Sequence, residues 1–130
     1  MFGLEKNHLD AMRTKEEGFV ELHLSPEIMN CLEDQNFFYY EKEKSDIFIL
    51  AMIVVDLALL KNNYLYDVAK RRPHLDLIPG LLKKVGERYT SNLVSILTEM
   101  LQVDSKRRPP LSHIIERVEK CNNIGEDFTL

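Results

Sequence analysis

The sequence contains little glycine, proline or cysteine for its length. Among 130 residues there are five glycines, five prolines and two cysteines, while 45% of the residues are hydrophobic. This composition excludes a collagenous or wholly disordered chain and predicts one compact domain with a buried core. Cys31 and Cys121 are too few and too far apart in sequence for a disulfide framework. We therefore expect reduced thiols in a cytosolic or nuclear protein, with a cytoplasmic location as the simplest case.

The chain also lacks an excess of positive charge and a long apolar run. Seventeen Lys and Arg residues stand against 21 Asp and Glu residues, so the net charge is −4 and nucleic acid is not an expected partner. The first eight residues lack the basic and apolar regions of a signal peptide. The most apolar segment, residues 47–60, is short for a bilayer and contains Asp56. It therefore predicts a buried helix and no membrane partner.

Hydrophobic periodicity and capping residues predict a mainly α protein. Ser25, Pro26 and Glu27 supply a cap, a proline at the first helical position and an early acid. Thr90 or Ser91 caps a later helix. No segment shows the period-two alternation of a strand. The predicted helices lie at residues 25–32, 46–60, 76–85, 91–101 and 111–121. The chain is thereby divided into a loop at residues 1–24, a helical domain at residues 25–121 and a polar tail at residues 122–130.

The helix predicted at residues 46–60 is apolar on all sides, so we expect protein to surround it and the helix to form the axis of the domain. Ser45 or Asp46 is the predicted cap, and Asp46 is the preferred assignment. For Asp56, inside this helix, we favour a carboxylate that reaches the helix margin or a local donor over a functional carboxylate.

Three short motifs stand in a fixed order on this helical pattern. They read S-P-E at residues 25–27, S-D-I-F-I-L-A at residues 45–51 and D-S-K-R-R-P at residues 104–109. Together they resemble the C-terminal lobe of a protein kinase, in which A-P-E, S-D-V-W-S-L-G and D-P-x-x-R-P occur in this order. The residues with charge roles, Glu27, Asp46 and Arg108, fall in register with the family.

The match to the kinase family is partial. Ser25 replaces the family's Ala, Phe48 its Trp, Ala51 its Gly and Ser105 its Pro. Residues 2–4 resemble the end of the D-F-G-L motif, although Met1 stands in place of its aspartate. Residues 19–27 lack the threonine and tyrosine of the Ser/Thr kinase pattern G-T-x-x-Y-x-A-P-E.

The resemblance covers roughly residues 2–120 but only the second half of a kinase domain. Phosphoryl transfer needs a Gly-rich loop, a phosphate-binding lysine, a catalytic aspartate and Mg²⁺ ligands. None of the corresponding motifs occurs in these 130 residues. We therefore expect no catalytic, ATP-binding or Mg²⁺-binding residues here. The chain is then a truncated kinase product or a pseudokinase, from a Ser/Thr rather than a Tyr kinase.

The resemblance also implies roles for individual residues. Glu27 and Arg108 are expected to form a buried ion pair; the alternative is that both are surface charges. Thr14, between Arg13 and Lys15, is a candidate phosphate acceptor, although an ordinary loop threonine is the simpler interpretation. No metal site is expected, because the histidines and cysteines lack metal-ligand spacing.

A protein partner is the one expected kind of partner. The aromatic residues 37–40 are core residues in the simplest interpretation, but they could form a contact surface where a missing lobe leaves apolar area uncovered. Basic clusters at residues 70–72, 83–84 and 106–108 are explained most simply by solvated faces, and the alternative for the first two clusters is docking of an acidic partner or phosphopeptide. The competing hypothesis for the whole chain is an unrelated all-helical protein-interaction module. No pattern specifies an oligomeric state.

Overall fold

The computed structural model describes residues 23–34, 41–67 and 69–124, and this part of the chain is mainly helical, as the sequence predicts. The α-helices are α1 at Pro26–Asp34, α2 at Lys42–Leu59, α3 at Ile78–Gly86, α4 at Ser91–Met100 and α5 at Leu111–Ile124. Two 3₁₀ turns, at Leu75–Leu77 and Ser105–Arg107, precede helices α3 and α5.

A minimal antiparallel ladder follows α2. Its strands, β1 at Tyr66–Asp67 and β2 at Arg72–Pro73, are two residues long, and Tyr66 pairs with Pro73. The sequence analysis found no strand because period-two alternation needs a longer segment to be visible. The ladder lies within the connection between α2 and α3 and pairs the two sides of that connection.

Helix α2 lies at the centre of the described core. One face of it carries small and apolar residues that are buried, and α1, α3, α4 and the 105–107 turn all contact the helix. Those buried residues are Ser45, Ile47, Phe48, Ala51, Met52, Val55 and Ala58. Small side chains at Ser45, Ala51 and Ala58 let neighbouring segments approach the helix axis closely.

The prediction that protein surrounds α2 is wrong for the described part of the chain. Leu50 and Ile53 are each 43% exposed and Leu57 is 68% exposed. The described neighbours of α2 pack against the face that contains Phe48 and Val55, and they leave the opposite face uncovered. An apolar composition predicts that a helix is favoured in a buried position, but it does not predict how many other segments pack against that helix.

Helix α2 also begins earlier than predicted. Its N-cap is Glu41, whose side chain makes no capping hydrogen bond. Asp46 therefore lies inside the helix and is not its cap; its Oδ2 accepts a hydrogen bond from Lys42 Nζ at 2.9 Å. Lys and Glu at residues 42–44 have good helix propensity, so they extend the helix by one turn before Asp46.

The boundaries of the later helices agree more closely with those predicted from the sequence. Thr90, rather than Ser91, caps α4, because its Oγ1 accepts from the Leu93 amide at 3.3 Å and its ψ of 157° is extended. Helix α5 continues to Ile124, so residues 122–124 are helical and do not belong to the predicted tail. Residues 125–130 lie outside the described part of the chain. The same holds for residues 1–22, and therefore for Thr14 and the 2–4 motif.

A bilayer-spanning helix does not occur in the described ranges, since none of their helices combines the necessary length and apolarity. The segment at residues 47–60 is part of α2, and Asp56 near its end is tied to polar neighbours rather than to solvent alone.

We expect Thr90→Ala to destabilise the protein by about 0.5–2 kcal/mol, because the mutation removes the side-chain acceptor for the Leu93 amide. Urea unfolding followed by circular dichroism measures this difference. Thr98→Ala is the matched control: Thr98 is exposed in the interior of the same helix, where alanine has the higher propensity. Equal destabilisation by both mutations would contradict the capping role of Thr90.

Candidate functional site

The side chain of Arg108 is completely buried. The 3₁₀ turn Ser105–Arg107 is capped by Asp104, whose Oδ1 accepts from the Lys106 amide at 3.0 Å. After this turn Arg108 adopts an extended conformation, with φ −74° and ψ 136°. The change from a tight turn to extended backbone separates Arg108 from the exposed Lys106 and Arg107 and places it in the interior.

All five guanidinium N–H donors of Arg108 have acceptors. Nε donates to the Gln102 carbonyl at 2.7 Å. Nη1 donates to Glu27 Oε2 at 2.8 Å and to the Lys44 carbonyl at 2.9 Å. Nη2 donates to Glu27 Oε1 at 2.9 Å and to the Val103 carbonyl at 3.1 Å. An arginine has five such donors in a fixed fork, so this hydrogen-bonding capacity is fully used.

Glu27 reaches Arg108 from the first turn of α1. Pro26 at the start of that helix has a preset backbone conformation, and a carboxylate in the first turn interacts favourably with the helix dipole. The two carboxylate oxygens bind the two terminal guanidinium nitrogens in the bidentate geometry that strengthens such pairs. The structure thus brings together Glu27 and Arg108, which are 81 residues apart in sequence.

The start of α2 completes this site. Besides accepting from Arg108, Lys44 donates through Nζ to the Arg108 carbonyl. The Phe48 ring centroid lies 5.0 Å from the guanidinium carbon, a distance compatible with a cation–π contact. Ser45 Oγ donates to Ser25 Oγ at 2.8 Å in the same buried region. All three sequence motifs therefore contribute to one cluster around Arg108.

Asp46 does not take part in this cluster, although it falls in one of the motifs. Its side chain is 58% exposed and paired with Lys42. Because each donor of Arg108 is engaged within the protein, the cluster has no free guanidinium donor for a ligand. Its chemistry is structural: it joins α1, α2 and the loop that precedes α5.

A second polar cluster surrounds Asp56. Its Oδ2 lies 2.5 Å from His23 Nε2, and its Oδ1 accepts from the Asn63 backbone amide at 2.9 Å and from Asn63 Nδ2 at 3.0 Å. Asn63 is a local donor, which is one of the two alternatives that the sequence analysis favoured over a functional carboxylate. His23 lies 33 residues earlier, and no spacing rule could have indicated it.

The imidazole of His23 packs beside Tyr64, with ring centroids 4.9 Å apart. In the tautomer that carries its proton on Nε2, His23 donates a hydrogen bond to Asp56 Oδ2. Nδ1 is buried and has no hydrogen-bond partner among the described residues. The side chains of His23 and Asp56 are only 10% and 14% exposed, so this pair holds the residues before α1 against the second half of α2.

The cysteines and the basic residues that the sequence analysis considered do not belong to either polar cluster. Cys31 and Cys121 are buried and form no disulfide. Within the described ranges, no group of three or more His, Cys, Asp or Glu side chains could hold a metal ion. The cationic residues at positions 70–72 and 83–84 are exposed on the surface.

Comparison with curated proteins finds relatives of this sequence. The chain is 32% identical over 96 residues to a protein of Dictyostelium discoideum described as probable serine/threonine-protein kinase nek3. The similarity covers 72% of this chain and 8% of that protein. No family model matches the sequence, and no solved structure matches it. The chain therefore has a kinase-like similarity, and it spans only a small part of the protein that it resembles.

We expect Arg108→Ala to lower the free energy of unfolding by about 3–5 kcal/mol, because Glu27 would remain buried without its partner. Arg108→Lys should recover only part of this loss, because an ammonium group cannot reproduce the bidentate fork. Urea midpoints measure both effects. The neighbouring, exposed Arg107 provides the control, and Arg107→Ala should change stability by less than about 0.5 kcal/mol. Similar midpoints for Arg107→Ala and Arg108→Ala would refute the structural role.

Asp56→Ala is expected to cost about 1–3 kcal/mol, because it leaves the donors of His23 and Asn63 unsatisfied. Thermal and urea unfolding measure the change. Asp76→Ala is the control: Asp76 is an exposed aspartate in the 3₁₀ turn before α3, and it should be nearly neutral. If the two alanine variants unfold at the same urea concentration, the Asp56 cluster does not stabilise the fold.

Proposed function

We propose that this chain is a protein kinase-like C-terminal lobe that binds other proteins and does not transfer phosphate by itself. The observation that carries the proposal is the convergence of the three kinase-like motifs on Arg108. Glu27 of the first motif, Phe48 of the second and Arg108 of the third meet in one buried cluster. Lys44, directly before the second motif, accepts a hydrogen bond from Arg108. In an unrelated helical module whose motifs matched by chance, their residues would have no reason to meet.

The similarity to a probable serine/threonine-protein kinase supports a Ser/Thr rather than a Tyr kinase relationship. In a complete kinase domain, the corresponding activity is transfer of the ATP γ-phosphoryl group to a protein hydroxyl, assisted by Mg²⁺. We assign this activity to the complete parent domain only, since the present chain corresponds to its second half.

One consideration supports an inactive chain. The 130 residues contain none of the sequence motifs that hold ATP phosphates, Mg²⁺ or the attacking hydroxyl. What remains for function is the surface of the helical lobe, which favours a binding or scaffold role as in pseudokinases.

Thermal unfolding with and without ATP and Mg²⁺ tests this proposal. Saturation of a site at 100 times its Kd would stabilise the folded state by about 2.7 kcal/mol, which raises the Tm of a small domain by several degrees. We expect no change in Tm and no phosphate incorporation into the chain or into an added basic protein. An active, complete protein kinase domain serves as the positive control in both assays. A nucleotide-dependent rise in Tm of this chain would refute the proposal.

A further inference from the structure

A polar pocket lies where the C-terminal ends of α2 and α3 meet. Its volume of about 390 Å³ is within the range of ligand sites in proteins. Three of its lining residues are cationic, one is acidic and two are uncharged. They are Lys61, Lys84 and Arg88, then Glu87, then Leu59 and Asn63. We call this feature the cationic pocket.

Hydrogen bonds fix the backbone around the cationic pocket. The Lys61 amide donates to the Asp56 carbonyl at 3.2 Å, and the Lys61 carbonyl accepts from Asn63 Nδ2 at 2.8 Å. From the other side, the Tyr89 hydroxyl donates to the Ala58 carbonyl at 3.3 Å, which ties the end of α3 to the end of α2. The two helix ends therefore have a defined relative position, and the cations converge on the pocket as a consequence of the fold.

The three cations of the pocket have no acidic partner in the described part of the chain. All three are exposed, and none of the ion pairs among the described residues includes them. Glu87 lines the same pocket but forms no ion pair with any of the three. By contrast, the lysines of α2 and α5 that have an acid four residues away pair with it. The pocket thus collects positive charge that the chain leaves unneutralised.

The convergence of these cations has an electrostatic cost. Lys84 and Arg88 are four residues apart at the end of α3, and both line the pocket. Like charges at this spacing repel each other, and Lys61 brings a third positive charge from the end of α2. The partial negative charge at the C-terminal ends of the two helices offsets part of the repulsion. An anion bound among the three side chains would remove what remains.

The charge balance of the cationic pocket matches a dianion. Its lining has a formal excess of two positive charges, since Glu87 offsets one of the three cations. Beside the lining, the exposed Lys83 adds a positive charge, and Asp56 adds a negative charge that is already bound to His23 and Asn63. A phosphate monoester carries nearly two negative charges at neutral pH, whereas a carboxylate carries one.

We propose that the cationic pocket binds the phosphate group of a phosphorylated side chain on a partner protein. Arg88 has the planar fork that binds two phosphate oxygens, and Lys61 and Lys84 add charge-assisted hydrogen bonds. A protein-borne phosphate is favoured over nucleic acid or an anionic membrane, because the whole chain has a net charge of −4 and repels an extended polyanion. This inference rests on the proposed binding role and names the chemistry that recognises the partner.

Nuclear magnetic resonance of the full, isotope-labelled chain tests the proposal. The probe is a short Gly-Ala peptide with a central phosphoserine. We expect it to shift the amide signals of residues 59–63 and 84–88 in a saturable manner. The same peptide with serine should cause no shifts, and the peptide with aspartate should bind about tenfold more weakly because it carries less charge. Equal binding of the aspartate peptide, or shifts confined to other residues, would overturn the proposal.

Removal of single cations tests which side chains hold the phosphate. Lys84→Ala and Arg88→Ala should each weaken phosphopeptide binding by about tenfold, because each removes a charge-assisted hydrogen bond. Lys83→Ala is the matched control, since it removes the same charge from the same turn of α3 without changing the lining. It should change Kd by less than about threefold. Equal weakening by Lys83→Ala and Lys84→Ala would show that long-range attraction is the whole effect and would overturn the site.

Glu87→Gln tests the charge balance in the opposite direction. It removes the acidic residue of the lining, so phosphopeptide binding should become about threefold tighter. Glu119→Gln is the control, because Glu119 is an exposed acid on α5 and its replacement causes the same change in net charge. Its Kd should equal that of the wild type. Weaker or unchanged binding by Glu87→Gln would contradict the proposed charge match.

Urea unfolding separates binding from a purely structural alternative, in which the cations only complement the dipoles of the two helix ends. The proposal predicts that Lys84→Ala and Arg88→Ala keep or raise the wild-type urea midpoint, since each mutation relieves repulsion. Lower midpoints together with unchanged phosphopeptide binding would establish the structural alternative and overturn the proposal.

Inorganic phosphate and a DNA oligonucleotide, each at matched ionic strength, identify the source of the phosphate. Binding of either one at residues 59–63 and 84–88 without binding of the phosphopeptide would overturn a protein-borne phosphate. These measurements contain neither ATP nor Mg²⁺, so their failure leaves the inactive kinase-like lobe untouched. A nucleotide-dependent rise in Tm that is equal in the wild type and in Arg88→Ala would refute the inactive lobe and leave the cationic pocket untouched.

Discussion

The buried guanidinium group of Arg108 is the constraint on which the rest of the described fold depends. Removing such a charge from water costs several kcal/mol, and only a complete set of partners offsets that cost. The partners come from α1, from the start of α2 and from the loop before α5. These three segments must therefore adopt one relative position before the charge can be buried. The cluster therefore couples the position of α1 to the positions of α2 and of the loop before α5.

The chain that enters α1 is fixed at more than one point. His23 contacts Asp56 in the second half of α2, Ser25 contacts Ser45 near its start, and Glu27 reaches Arg108. Polar contacts at successive positions determine how this short segment lies against α2, while the apolar core supplies the favourable burial. Apolar packing is not directional, so it tolerates small shifts that hydrogen bonds with defined geometry do not.

The sequence predicted features that depend on local order. The hydrophobic spacing in α4 and the Thr90 cap act within a few residues, and both are found in the structure. The partnership of Glu27 with Arg108 came only from family resemblance, because no periodicity relates residues so far apart. The family resemblance did not indicate a contact between His23 and Asp56, so the sequence analysis missed it. The cap assigned to Asp46 was wrong because helix-forming residues before it extend α2 by one turn.

In this lobe the buried polar residues hold the fold together, and the surface is the part that can contact other molecules. In the interior, the donors of Arg108 are all engaged, so the best-defined polar cluster has no capacity left for a ligand. On the surface, α2 carries more apolar area than its described neighbours cover, and Leu57 and Leu60 are among the most exposed large apolar residues. Uncovered apolar area of this kind marks interaction sites in soluble proteins. The binding role that we propose therefore falls to the surface of the lobe rather than to the Arg108 cluster.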